Sequence, residues 1–193
     1  MPLPDSLLDV GQRVSDYFAR GGEPPYIVYV YRPEEEYSVR RNLNDLRFWL
    51  EAKGVRCQAI SLAALFWQAL EDAGWLAPLI EQERAAAGDQ RALEEIYGSV
   101  GEVLREEPTL PDRVVTAVEA TTDGSAVFLY RAGSLYPAYR TSALLDDLRP
   151  RLRRPVTLLY PGRVVGTYGL SFMNKCEPAY GYRAHIIPRE GSQ

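Results

Sequence analysis

Tyr26-Ile27-Val28-Tyr29-Val30-Tyr31, followed at once by Arg32-Pro33-Glu34-Glu35-Glu36, decides the fold class of this chain. An unbroken run of β-branched and aromatic residues is the pattern of a strand covered on both faces, as in a parallel sheet. Proline and carboxylates suit the first turn of a helix, where no N–H is needed and negative charge meets the positive end of the dipole. Val39, Leu43, Leu46 and Leu50 continue that helix as one apolar stripe, and Gly54 closes it. Residues 55–60 then read as a second strand, which completes a strand, helix, strand unit.

Outward from this unit the pattern holds. Before it, Leu7, Leu8, Val10, Val14 and Phe18 are spaced as a helix over residues 4–18, stopped by Gly21-Gly22 and Pro24-Pro25. After it, Ser61 is placed to cap a helix with Leu62, Leu65, Phe66, Ala69 and Leu70 inward, and Gly74 ends that helix. Leu76, Leu79, Ile80 and Glu83 suggest a short helix. Asp89 caps a longer one carrying Leu93, Ile96, Tyr97, Val100 and Leu104. Pro108 and Pro111 precede a helix marked by Val114, Val115 and Val118 that leads to a turn at Asp123-Gly124. Residues 126–131 read as a strand, 142–152 as a helix and 156–160 as a strand. Residues 170–173 and 182–187 read as two final strands, expected to be antiparallel and joined by the Pro178 turn. The expected architecture is a single three-layer, Rossmann-like α/β domain over residues 1–193, with a mostly parallel sheet and a central helical insert.

With 193 residues, 46% hydrophobic and 25% charged, the chain has enough apolar material for a sizeable core without staples. Cys57 and Cys176 are its only cysteines and form no CxxC, so two partly buried thiols are expected, with neither a disulfide framework nor a zinc ribbon. Residues 1–20 carry Asp5, Asp9 and Asp16 and lack the make-up of a signal peptide. No apolar stretch is long enough to span a bilayer, so a soluble, cytoplasmic protein is expected, without membrane contact. The net charge of −4 hides an asymmetry. Residues 81–107 hold eight acids and three arginines, whereas residues 131–163 hold seven arginines and two aspartates. Such segments face each other or face water, or the basic one binds nucleic acid.

The motifs of common chemistries are incomplete. No GxxxxGK[ST] occurs, and the glutamates after Tyr31 would repel a triphosphate. Gly162, Gly166 and Gly169 lack the close GxG pair of a dinucleotide site and are expected as turn glycines. His185 is the only histidine. It reads as a half-buried strand residue, although His185 with Cys57 or Cys176 is the one conceivable Cys-His pair. Neither a catalytic residue, a cofactor nor a metal is expected. Tyrosine is the unusual component, 13 against 5 phenylalanines, with Tyr130, Tyr136, Tyr139, Tyr160, Tyr168, Tyr180 and Tyr182 near the C-terminal loops. Rings with an apolar body and a polar tip suit interfaces, or roof a core at its edges.

The strand ending Tyr130-Arg131-Ala132-Gly133-Ser134-Leu135-Tyr136-Pro137, the segment Leu144-Leu145-Asp146-Asp147-Leu148, Leu158-Leu159-Tyr160-Pro161-Gly162 and Tyr182-Arg183-Ala184 together resemble the BrxB family of bacterial BREX phage-exclusion systems. Tyr31 with Arg32-Pro33-Glu34-Glu35-Glu36, and residues 62–83, look like that family too. The loop at residues 163–169 and Asn174-Lys175-Cys176-Glu177 depart from its pattern. The resemblance implies a non-enzymatic adaptor of an antiviral complex, bound to other BREX proteins, first among them the phosphatase-like PglZ. Arg131, Tyr136, Tyr139, Arg140, Tyr160, Gly162, Tyr182 and Arg183 are the candidate partner-binding or architectural positions. Of these, Pro161-Gly162 reads first as a turn after a strand, and Arg183 as a strand residue. Two other readings stay open. One is a DNA-binding module using Arg131, Arg140, Arg149, Arg151, Arg153, Arg154 and Arg163, the four from Arg149 to Arg154 also suiting a helix end. The other is a degenerate nucleotide-binding domain without a P-loop.

Overall fold

A computed structural model of the chain describes residues 3–120 and 124–190. Helix α1 (Asp5–Arg20) buries Leu7, Val10 and Val14 on one face. Strand β1 (Tyr26–Tyr31) is buried at every position, as its unbroken apolar run requires. A 3-10 turn at Pro33–Glu35 leads into α2 (Glu36–Glu51), which buries Val39, Leu43, Leu46 and Leu50 in the expected stripe. Strand β2 (Arg56–Ser61) ends on Ser61, whose side chain accepts from the Ala64 N–H at 3.2 Å and caps α3 (Leu62–Asp72).

The helical insert continues with α4 (Leu76–Ala86) and α5 (Gln90–Val103), the latter capped by the Asp89 carboxylate on the Arg91 and Ala92 N–H groups. It ends in α6 (Leu110–Glu119), opened by a reciprocal cap between Thr109 and Asp112. The Asp123 half of the expected Asp123-Gly124 turn lies outside the described residues. Strand β3 (Ser125–Tyr130), α7 (Thr141–Leu148), β4 (Val156–Val165), β5 (Gly169–Phe172) and β6 (His185–Pro188) follow.

The sheet order is β2-β3-β4-β1-β6, with β5 alongside β4. Every pairing is parallel except β4 with β5. Apolar clusters lie on both faces. One joins Leu7, Val10 and Val14 of α1 and Leu46 and Leu50 of α2 to Ile27 and Tyr29. The other joins α3 to α7 to Val28, Val127, Leu129 and Leu158. The result is a mostly parallel sheet between two helical layers, a Rossmann-like α/β fold.

Several local expectations are corrected. Pro161-Gly162 is no turn: β4 runs through it to Val165. Pairing with β1 ends at Pro161, which has no N–H to give, and antiparallel pairing with β5 begins at Gly162. Of the three glycines in this region only Gly166 sits in the turn, with φ +61, while Gly162 and Gly169 belong to the strands. The last strand does not pair with β5. It starts at His185, not Tyr182, and lies parallel to β1, where it covers an otherwise unpaired edge of a wholly apolar strand. Arg183 is therefore a loop residue, and His185, the first residue of β6, is exposed instead of half-buried. Helix α7 stops at Leu148 because Pro150 cannot continue its hydrogen-bond ladder, although Leu152 is still buried.

Candidate functional site

One forked hydrogen bond anchors the tail of α7. The single proton of the Tyr26 hydroxyl, at the start of β1, is shared between the carbonyls of Leu148 at 3.1 Å and, just beyond the helix, Leu152 at 2.9 Å. The tail of α7 is thus held at the amino end of the sheet, and its first turn, Thr141-Ser142, lies toward the carboxyl ends of the strands. Ligands of open α/β sheets bind on that side. A cavity of about 360 Å³ opens there between the α7 first turn, the end of β4, β5 and the segment after β5.

Five of the eight sequence-named residues line this cavity: Tyr136, Tyr139, Arg140, Tyr160 and Tyr182. Tyr160 forms its inner wall and is fully buried. Its ring packs on Phe172 with centroids 5.3 Å apart and meets the edge of Tyr182 at 6.0 Å, while Tyr136 meets Phe172 at 6.2 Å. The Tyr182 hydroxyl is 3.4 Å from Thr141 Oγ1. Burial pushes the Tyr160 phenol well above its ordinary pKa, helped by the neighbouring Tyr182 phenol. Tyr139 is raised by burial and then by the Asp147 carboxylate, and the Arg105 guanidinium stands 5.2 Å over its ring. Both phenols stay neutral and act as walls with polar tips.

Gly162 lies just behind this wall. A Cβ there would come within 2.2 Å of the Ser171 carbonyl oxygen and 2.7 Å of the Tyr160 ring. Glycine is what lets β4 and β5 close with Tyr160 tucked beneath them.

The other two named residues lie elsewhere. Arg131 is exposed at a left-handed turn after β3, with φ 60, and its carbonyl accepts from Ser134 Oγ at 2.9 Å. Arg183 lines a separate cleft at the opposite end of α7 with Arg149, His185 and Glu23. The Arg183 carbonyl accepts from Arg149 Nη1, and Arg149 pairs with Glu23 at 3.6 Å. Arg151 pairs with Asp112 at 2.8 Å. The basic segment thus spends Arg149 and Arg151 on acids outside residues 81–107.

Cys176 lines the tyrosine cavity while His185 lines the far cleft, so this Cys-His pair is not assembled. Burial raises the Cys176 thiol, against a smaller opposing pull from Arg140, and raises Cys57 to about 11. Both thiols are free. Among the described residues no group of three or more His, Cys, Asp or Glu is placed to hold a metal ion, and no helix is long and apolar enough to cross a membrane.

The structure adds a feature that sequence reading missed. An apolar groove of about 160 Å³ runs between α3, α4, α5 and residues 136–138. Phe66, Leu70, Leu79 and Val100 form its floor, whereas Trp67, Ile80 and Tyr136 stand 51%, 40% and 37% exposed around it. Helical spacing identifies an inward face but not whether anything covers it. The available signal was α4, whose short apolar stripe buries only Leu79.

The arrangement defines a Rossmann-like α/β protein whose parallel sheet opens, at its carboxyl edge, into a tyrosine-lined cavity beside an uncovered apolar groove. The family model described as "BREX protein BrxB" matches residues 58–187, and the chain belongs to the BrxB family. It is therefore a component of a BREX phage-defence system, and BrxB is not a known enzyme family. The matched segment runs from β2 to β6 and contains both the cavity and the groove. Neither the curated proteins nor the solved structures yield a match.

Proposed function

We propose that the chain, read as a single domain over residues 1–193, is a non-catalytic, cytoplasmic adaptor that binds another BREX protein, with a PglZ-type phosphatase-like protein as the leading partner. The observation that carries this reading is the uncovered groove with Trp67, Ile80 and Tyr136 at its rim, inside the family-matched segment. Exposed apolar patches framed by polar residues mark protein-binding surfaces, and aromatic side chains seated in pockets supply most of the affinity of such contacts. The groove borders the acidic segment, where Glu83 lines it. Tyr136 belongs to both the groove and the tyrosine cavity, so the partner surface continues along Tyr136 and Arg140, with Arg131 an exposed residue beyond the cavity. Tyr139, Tyr160 and Gly162 are buried and serve it from beneath.

Co-purification of the chain with a PglZ-type protein, followed by sedimentation at micromolar concentration, tests the reading. A stable complex that is lost when Trp67 and Ile80 are both replaced by serine is the expected result. Absence of any complex counts against it. Direct DNA binding by the arginines is disfavoured by the ion pairs of Arg149 and Arg151. It predicts an affinity that collapses between two salt concentrations.

A further inference from the structure

Behind the surface residues Tyr136 and Arg140, the tyrosine cavity has features that protein docking alone does not explain. First, α7 begins without a side-chain cap: Arg140 occupies the capping position and makes no such bond. The first-turn N–H groups of a helix are orphan donors at the positive end of its dipole. Here that turn, Thr141-Ser142, lines a cavity, and Arg140 adds a full positive charge at its mouth. Second, the Tyr160 hydroxyl is shielded from solvent and makes no hydrogen bond of good geometry, its contact with the Tyr182 phenol being at most a weak one. A buried hydroxyl without a good partner is destabilising, a penalty that a ligand atom in reach would relieve. Tyr182, itself held by one long contact to Thr141, and Cys176 are the polar side chains near it. Third, Tyr136, Phe172 and Tyr160 present aromatic walls, and the volume of about 360 Å³ is in the range of small-molecule sites. Glu177 lines the cavity too, and its carboxylate keeps an anion toward the α7 side.

We infer that this cavity binds a small organic anion built on a flat ring. The anionic group sits at the first turn of α7 beside Arg140, the ring lies against Tyr136 and Phe172, and a polar atom reaches the Tyr160 hydroxyl as Tyr182 gives way. Phosphate and carboxylate are equivalent heads for such a site, because both accept from backbone N–H groups and guanidinium. The inference shares Tyr136 and Arg140 with the proposed partner surface but is tested on the isolated chain, so its failure and that of partner capture are distinguishable.

Isothermal titration of the full chain with adenosine 5′-monophosphate and with indole-3-acetate, one head group each, tests it. Adenosine and inorganic phosphate supply the two halves separately. The expected result is millimolar or tighter binding of at least one whole anion, with adenosine and phosphate each at least ~10-fold weaker. Arg140→Ala, at an exposed position, and Tyr160→Phe, which removes one oxygen, each weaken that binding by about 10-fold. Arg91→Ala, at an exposed position of α5 that lines neither the cavity nor the groove, leaves it unchanged. Melting curves confirm that the variants are folded. No binding of either anion at millimolar concentration, halves that bind as well as the whole, or binding indifferent to both cavity variants overturns the inference.

Discussion

On one face of the sheet, α1 and α2 lay Leu7, Val10, Val14, Val39, Leu43, Leu46 and Leu50 over β1, each 3% exposed or less. On the other face, α3 to α7 share the cover and leave a groove, a cavity and three rim residues in water. Both faces use ordinary apolar stripes, so composition does not separate them. What separates them is closure. Two helices of 16 residues, each one unbroken stripe, seal one side, while five helices share the other and leave gaps between them. The family match begins at Gln58 in β2, just before α3 opens the gapped face, which is the face proposed for recognition.

That contrast can be broken most directly in the sealed layer. Leu46→Ala removes a fully buried side chain that also touches the site of Gly11, and urea unfolding should show a loss of about 2–5 kcal/mol. A loss under about 1 kcal/mol would mean that this face is no better packed than the other. Next, Gly162→Ala drives a methyl into the Ser171 carbonyl, and a destabilisation of about 1–3 kcal/mol is expected.

Tyr26→Phe sharpens the comparison from within the gapped face, since it deletes the forked hydrogen bond to the tail of α7 and should cost about 1 kcal/mol. It also carries a pH signature. Burial raises the Tyr26 phenol from 10.0 to about 12, against a smaller opposing pull from Arg149. The folded state therefore favours the neutral phenol. Its contribution is complete below pH 10 and is lost as pH rises from 10 to 12, and Tyr26→Phe should shallow that alkaline decline in a pH series of melting curves. The smallest stability effect is expected at the groove rim. Trp67→Ser should change stability by less than about 1 kcal/mol while lowering capture of a PglZ-type partner by at least ~10-fold, read by sedimentation.

The sealed layer was readable from residues alone, because β1 has no polar position and the α2 stripe has one period throughout. The caps at Ser61 and Asp89 were readable for the same local reason. The β4–β5 hairpin was not. Pro161-Gly162 has the composition of a turn, and only the tertiary neighbours show a strand exchanging a parallel partner for an antiparallel one. Nor could spacing show that residues 174–184 cross to the free edge of β1, a choice set by which edge lacks a partner. At the site, residue type singled out the tyrosines, but burial of Tyr139 and Tyr160 and exposure of Trp67 depend on how separate helices meet. A pattern within one helix carries no record of that.

Because Tyr26 grips α7 by its last carbonyls, the helix is fastened at its tail and free of that constraint at its head. Strain imposed at the pocket entrance is then taken up by residues 136–140 and the first turn of the helix, while the fastened tail keeps the helix in register on the sheet.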